Sequence, residues 1–494
     1  MSSIKKLAGQ TAVYGLSSIL ARAINFLLVP FYTYYMSAHS FGILSEYMVY
    51  IAFLIVVLTF GMETTYFRYS QDKEEEPKVF SQLLLYVLCL SFLFCIGLIA
   101  FSPQINTLLG ATGNENYIKL LAGILFLDAV SALPFARLRN INSSLKFISI
   151  KVTSILLNVI LNILFVWFLP IKLGMKDLVF GNLSFDLADQ VSCVLWANLL
   201  ANSIFLFFFA KDLSSIGKYW DKKYFKPAIK YAYPVMILGL AGLINELIDR
   251  LMLKEILPFD FYKDIHLSPV EAMGIYSANY KFAIFITLAI QAYRYAAEPF
   301  FFKTQKDKNS KETFAKLMTV FSLILLFSAT FISVFRQEIG LIILRNEIFR
   351  LGIDVVPILL LANVCVGIYY NLSAWYKLTD KTIYGTLIGI FGAILTLIIN
   401  YLFIPYLGFM ACAYATLICY ASMMLISYFL GQKYYPVPYN IKKIGFYFLS
   451  SIIVIYGSIY LIEPIPYAFV YKLMLMIGCV FFLYKFEFRK VLKS

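Results

Sequence analysis

The stretch YAYPVMILGLAGLINELIDRLMLKEIL, Tyr231 to Leu257, decides how the chain is read. It runs apolar for a whole membrane span and then places Glu246, Asp249 and Arg250 within five residues. A helix turned entirely to lipid cannot carry them, since each ionisable group costs roughly 2.5 to 3.5 kcal/mol at a bilayer centre. The three stand at i, i+3 and i+4 and so share one helical face, and Asn245 with Asp249 is a further i, i+4 pair. That face must meet other charges or water.

The surrounding chain leaves no room for a soluble fold. It has 494 residues, of which 61% are hydrophobic and 14% charged, with a mean hydropathy of +0.78. So little polar surface cannot cover a soluble domain, and the chain reads as an all-α polytopic membrane protein. Fourteen apolar stretches of about 20 residues recur along it. Their limits are 10–32, 41–62, 79–101, 117–136, 148–170, 190–210, 231–253, 273–295, 316–335, 355–374, 384–404, 408–430, 442–462 and 467–484. The first follows a short MSSIKK, lacks a small-residue cleavage site and is expected to stay as an uncleaved span.

The net charge of +14 is topological. With the N-terminus inside, 30 of the 42 lysines and arginines fall on the inner side, 9 on the outer side (Lys254, at the outer end of span seven, among them) and 3 (Arg22, Arg250, Lys281) deep in spans. The bias places both termini in the cytoplasm and argues against nucleic acid as partner. All seven cysteines fall in predicted spans and the two histidines in different short loops, which leaves no disulfide framework and no metal cluster. No phosphate loop, dinucleotide fingerprint, His-Glu-x-x-His or Gly-x-Ser-x-Gly occurs, and no connection is long enough for a catalytic domain. The chain reads as a non-enzyme whose driving force is an ion gradient, the membrane potential or the substrate's own gradient.

The longest inner connection, KDLSSIGKYWDKKYFKP, separates six spans from eight. HSFGILSEYMVYIAF (His39 to Phe53) resembles EAMGIYSANYKFAIF (Glu271 to Phe285) at the heads of the second and eighth spans. The echo fits two pseudo-symmetric six-span lobes, 1–215 and 216–435, followed by two additional spans in 436–494. Residues 338–354 alternate apolar and charged positions at helical spacing, which predicts one helix on the outer interface.

Seven ionisable residues lie well inside the spans: Arg22, Glu46, Asp128, Glu246, Asp249, Arg250 and Lys281. A rise of 1.5 Å per residue puts Arg22 about 18 Å from the inner side and Asp128 about 17 Å from the outer side, both near the midplane. The same arithmetic lets Glu246 and Lys281 meet. Glu246 with Arg250 is either an intrahelical salt bridge or part of a ligand site. Arg22 has no acid three or four residues away, so its partner is another helix, water or an anion. Glu46 and Asp128 are proton or cation sites or counter-charges to Arg22. Span seven is expected to line an internal cavity with spans one, two, four and eight.

At these residues the chain resembles the polysaccharide-biosynthesis branch of the multidrug/oligosaccharidyl-lipid/polysaccharide (MOP) exporters. The matching segments, in order, are LARAINFLLVPFYTYYMSAHSFGILSEY, GMETTYFRYS, the opening stretch, GIYSANYKFAIFITLAIQAYRYAAEPFFF and NLSAWYKLTDKT. The resemblance implies a flippase of the O-antigen (Wzx-like) or lipid II type in a bacterial cytoplasmic membrane. Such a protein moves a polyprenyl-diphosphate-linked oligosaccharide from the inner to the outer leaflet by alternating access. By motif, Arg22 and Lys281 match the basic residues of spans one and eight that receive the diphosphate. Arg250 is a third candidate, although the acids of span seven dilute its potential.

The resemblance also implies coupling to Na⁺ or H⁺, with Glu46, Asp128, Glu246, Asp249 and Asn245 as candidate cavity or coupling residues, and no other cofactor. Partners are the lipid-linked substrate, membrane lipids and a polysaccharide polymerase, with the chain itself a monomer. The competing readings are a multidrug or cation antiporter of the same superfamily, which Arg22 disfavours, and a membrane glycosyltransferase or polymerase, which lacks its loop here.

Overall fold

The computed structural model describes residues 19–488 except 21, 73, 111–113, 142, 181–182, 215–221, 306 and 308. Nearly all of it is helix, as expected for a chain that must satisfy its backbone hydrogen bonds inside lipid. Twelve helices among the described residues are long and apolar enough to cross a membrane. The protein is thus a multi-pass membrane protein. The seventh expected span is a further 35-residue helix, and the first lies partly outside the described residues.

The helices used below are, in chain order, α1 (Leu28–Tyr35), α2 (Ala38–Thr59), α3 (Met62–Tyr69), α4 (Glu76–Ala100), α5 (Ser102–Leu108), α6 (Glu115–Asn140) and α7 (Ser144–Ile163). After a two-stranded hairpin of β1 (Asp177–Phe180) and β2 (Leu183–Asp186) come α8 (Gln190–Phe208), α9 (Lys222–Ile256), α10 (Pro269–Tyr280), α11 (Ile284–Thr304) and α12 (Ser310–Val334). The remainder are α13 (Arg336–Ile343), α14 (Val355–Leu372), α15 (Ile383–Leu407), α16 (Phe409–Tyr434), α17 (Ile441–Gly457) and α18 (Ala468–Leu483).

Contacts divide the chain into two compact units, residues 1–278 with 386–415 and residues 279–385 with 416–494. These boundaries fall inside α10, α15 and α16 and not at the connections after residues 215 and 435. The cause is local: α9 packs along α2 and α3, which draws it into the first unit.

In the first unit α6 is the central helix, in contact with α4 on one side and α8 on the other. Asn114 caps its start by accepting from the Asn116 N–H at 3.1 Å. Its last turn carries Arg137 and Arg139, where cations favour the helix dipole. Arg137 pins three helix ends together. It lies 3.1 Å from Glu76 at the head of α4 and 2.9 Å from Asp212 after α8, with its guanidinium 4.4 Å above the Phe80 ring. Arg139 pairs with Glu63 of α3.

At the opposite ends of the helices, α2 and α10 cross backbone to backbone. A methyl group on Gly274 would stand 2.9 Å from the Gly42 nitrogen and 3.1 Å from its Cα, and would collide with the Ala38 carbonyl oxygen. One on Gly42 would collide with the Val270 carbonyl oxygen. Gly42 and Gly274 are the matched glycines of the internal echo, so the repeat places its two smallest residues against each other. Gly408, at φ 57° between α15 and α16, takes a left-handed turn that leaves room for the Tyr262 hydroxyl. The Phe409 N–H donates to that hydroxyl at 3.3 Å, and burial pushes the Tyr262 phenol up to about 12.

In the second unit α14 is the buried axis, packed against α11 and α12, while α12 also carries α17. An apolar groove of about 370 Å³ lies between α12, α17 and α18. The two final helices are held at both ends by charge. Arg336 forms a two-pronged pair with Glu463 at 2.9 Å for each contact and reaches Asp354 at 3.3 Å. Lys472 of α18 lies 3.1 Å from Glu463 and 3.0 Å from Glu338. Lys443 and Tyr447 both bond Glu487 at the other end.

The helix expected over 338–354 is broken into α13 and a short turn Glu347–Arg350. Asn346 starts the second piece by accepting from the Ile348 N–H at 3.1 Å. Arg336, which precedes it, is drawn to 2% exposure by Glu463.

Removing Arg336 leaves Glu463 and its neighbours with an uncompensated charge in a buried place. We expect Arg336→Ala to lower stability by roughly 3 to 5 kcal/mol. Arg350→Ala, whose pair with the exposed Glu347 is a surface contact, should cost no more than about 1 kcal/mol. Thermal unfolding of the two purified variants in detergent checks the difference; equal shifts would remove the network's role.

Candidate functional site

The charged face of α9 is resolved in detail, and it is tightly compensated. Asp249 and Arg250 are buried at 3% and 7% exposure, and Glu246, four residues before Arg250, is exposed. Arg250 Nη1 lies 3.1 Å from Asp249 Oδ1 and donates to the Glu246 backbone carbonyl at 2.7 Å. The acid that pairs with Arg250 is therefore Asp249 and not Glu246. The i, i+4 contact is made with the backbone because the guanidinium folds back along its own helix. Tyr276 of α10 donates its hydroxyl to Asp249 Oδ2 at 2.6 Å, and Asn245 donates to the Gly389 carbonyl of α15 at 3.1 Å. The Cys412 thiol at the head of α16 faces the Asp249 carbonyl at 3.6 Å. The face thus joins α9 to α10, α15 and α16. Asp249 and Arg250 are buried within this packing.

A second cluster binds α2 to α9. Glu46 is 1% exposed, and its Oε1 accepts from Lys254 Nζ and from the Tyr50 hydroxyl, each at 2.7 Å. Lys254 also donates to the Leu109 carbonyl after α5 at 3.0 Å. The counter-charge of Glu46 is therefore Lys254, a residue that sequence position assigned to the outer end of span seven.

A third cluster lies between α6, α7 and α8. Asn202 donates to Asp128 Oδ1 at 2.8 Å and to Asn198 Oδ1 at 3.0 Å, and accepts from Ser154 at 3.2 Å. Lys151 approaches the same region with its ammonium 4.2 Å from the Phe135 ring centre. Asp128 is held by neighbouring helices of its own unit.

Two cations of the spans differ from these. Arg22, in the first unit, and Lys281, in the second, both have exposed side chains. Lys281 sits in a single 3₁₀ turn, Lys281–Ala283, where the long eighth span changes from α10 to α11. Glu246 and Lys281 belong to different units.

Sequence reasoning found Arg22, Glu46, Asp128, Asn245, Asp249, Arg250 and Lys281. It missed Lys254, Tyr276 and Asn202, which complete the clusters. Lys254 carried a usable signal, lying one helical turn beyond Arg250.

The description "Polysaccharide biosynthesis protein" belongs to the family model that matches residues 7–305. No curated protein sequence matches. Among solved structures, the chain resembles the lipid II flippase MurJ in an inward closed conformation, with TM-score 0.71 and 15% identity over 97% of this chain and 99% of that one. It also resembles an inward-facing multidrug resistance MATE family transporter of the MOP superfamily, with TM-score 0.62 and 14% identity over 85% of this chain and 97% of that one. A MATE structure in the straight conformation gives TM-score 0.57 and 14% identity over 87% and 95%. At these identities the likeness is one of fold, and the fold is that of polytopic MOP transporters.

Breaking the buried pair on α9 should unmask its role. Asp249→Ala strands Arg250 and is expected to cost roughly 3 to 5 kcal/mol, while Asp249→Ala combined with Arg250→Met should regain most of it. A double-mutant cycle on thermal stability in detergent reads this. A double variant no more stable than Asp249→Ala would mean that the pair is not self-contained.

Proposed function

The chain belongs to the polysaccharide biosynthesis protein family, and from that premise we propose that it is a flippase for a polyprenyl-diphosphate-linked oligosaccharide. It would carry the headgroup from the inner to the outer leaflet of a bacterial cytoplasmic membrane by alternating access, without catalysing a reaction. The observation that carries this reading is the exposure of Arg22 and Lys281. A cation at span depth cannot face lipid, so each must face water or an anion. In contrast, Arg250, Lys254, Arg336 and Lys472 are buried against carboxylates.

In this reading Arg22 and Lys281 are the diphosphate contacts and replace the water that the headgroup loses, Arg22 with a two-pronged geometry. Arg250 is a positioning residue whose partner is Asp249. The membrane potential assists: a headgroup with about two negative charges moving outward against a negative interior gains roughly 2.3 kcal/mol per charge per 100 mV. Export of the headgroup presents the oligosaccharide to an outer-leaflet polymerase. A second reading, flipping of lipid II, shares the diphosphate chemistry and is favoured by the fold likeness to MurJ.

The test is flipping of a fluorescent polyprenyl-diphosphate oligosaccharide in proteoliposomes. Arg22→Ala and Lys281→Ala should each lower the rate by about tenfold or more, since a lost charged hydrogen bond is worth about 1.5 to 3 kcal/mol, with melting temperatures unchanged. Lipid II as competitor separates the two cargos. Undiminished flipping in both variants would exclude these residues as contacts, and export of a cationic dye without lipid flipping would overturn the reading for the antiporter one.

A further inference from the structure

The last pair of helices borders a space that no described residue fills. Of the twelve spans among the described residues, the last, Ala468–Glu487, is the least buried: 11% of its apolar stretch lies inside the protein. Charge fastens it at both ends, but between those ends the groove of about 370 Å³ separates it from α12 and α17. The groove wall is apolar. Phe327, Val454, Leu475, Cys479 and Phe482 line it, and the Ser450 and Thr330 hydroxyls bond back to their own helices at 2.8 Å. Such a groove, open to the bilayer, takes a hydrocarbon chain, since water finds few partners there.

The groove has one blind end and one open end. Val334, Phe335 and Met476 form a buried cluster on which the lining residues Phe327, Val454 and Cys479 pack, and this stops the groove toward the end of α12. In the other direction it runs to Tyr447 and Leu483. The nine-residue step along α18 from Met474 to Leu483 rises about 14 Å, close to half of a hydrocarbon core of about 30 Å. The groove therefore matches one acyl chain of one leaflet. Gly478 keeps it open, because no atom outside its own helical backbone lies within 4 Å of where its Cβ would stand. Neither helix stability nor close packing calls for a glycine there.

Opposite charges stand at the open end. Lys443 and Glu487 lie one turn beyond Tyr447 and Leu483 and pair with each other, and the Tyr447 hydroxyl donates to Glu487 Oε1 at 2.7 Å. The two side chains stay 32% and 13% exposed. An ammonium has three donors and a carboxylate about four acceptor sites, so each keeps capacity for a second partner. The phosphate of a phospholipid suits Lys443, and the exposed Lys442 and Lys485 attract it as well. These lysines serve any phospholipid. Glu487 discriminates: a primary ammonium donates to it, a quaternary ammonium has no N–H to donate, and an anionic headgroup is repelled.

We propose that the groove is a binding site for an ethanolamine phospholipid, with one acyl chain between α12, α17 and α18, its phosphate on Lys443 and its ammonium on Glu487. The lipid completes the packing of the last helix and uses none of the residues assigned to the cargo. A polyprenyl chain, much longer than one leaflet is deep, would outrun the blind end.

In the experiment the full chain is stripped of lipid in detergent, given equal amounts of dioleoyl phosphatidylethanolamine, phosphatidylcholine and phosphatidylglycerol, and read by native mass spectrometry. One ethanolamine lipid should be retained about tenfold or more over each of the others, the worth of a charged hydrogen bond. Glu487→Gln should bring that ratio towards one, since the groove and Lys443 remain. Gly478→Leu puts a side chain into the groove and should cut retained ethanolamine lipid by about fivefold or more, at the parent's melting temperature in lipid-free detergent.

Equal retention of the three lipids, a preference for the glycerol lipid, or a Glu487→Gln ratio equal to the parent's would each overturn the proposal. So would undiminished retention in Gly478→Leu. Should Gly478→Leu melt lower than the parent, the Glu487→Gln ratio alone decides. Displacement of the lipid by an equimolar polyprenyl phosphate would also overturn the proposal and make the groove a seat for the cargo's chain.

Discussion

The fold depends on the cost of an uncompensated charge in an apolar surrounding. Each buried cation described here meets a carboxylate: Arg250 meets Asp249, Lys254 meets Glu46, and Arg336 and Lys472 share Glu463. Apolar contact alone cannot select which helices adjoin in a membrane, because lipid chains are as apolar as leucine. The ionic contacts supply that selection. Glu46 chooses α9 for α2, the Asp249 carboxylate chooses α10 through Tyr276, and Glu463 fastens the last hairpin of helices to α13.

Class and span positions were legible in the sequence because a span needs about 20 apolar residues and hydropathy records exactly that many. The charged positions were legible too, since a charge within such a run is rare enough to stand out. Pairing was not. Glu246 and Arg250 have the i, i+4 spacing of a salt bridge, yet Arg250 turns to Asp249, which Tyr276 holds in place from another helix. Spacing along one helix carries no information about a hydroxyl arriving from the next. Lys254 was read as a boundary charge for the same reason: its depth depends on α5 and α2 closing over it. The surface helix expected over 338–354 failed at Asn346, whose capping side chain starts a new helix where the apolar period continues unbroken.

The internal echo conveyed more than its length promised. Fifteen residues with a shared Gly-Ile-x-Ser are weak support for a repeat when read as text. In the structure a methyl group on the second glycine would stand 2.9 Å from the nitrogen of the first, so each copy supplies half of one crossing. A larger residue in either copy would hold the helices apart. What the matched pattern encodes is a distance of approach, and the residues that differ between the copies carry the charge: Glu46 in the first corresponds to Ala278 in the second.

The contrast between Arg250 and Arg22 follows from the same electrostatics. A guanidinium with a carboxylate at 3.1 Å already has an anion in the position that a phosphate oxygen would take. To bind a diphosphate it would have to release Asp249, which would then be stranded among buried groups. An exposed arginine or lysine has no such debt, because water solvates it while the site is empty and is displaced when an anion arrives. Cations that hold a membrane fold together therefore need an acid beside them and burial around them, whereas cations that bind and release a charged headgroup need water. On the flippase reading proposed above, the exposed Arg22 and Lys281 belong to the second class.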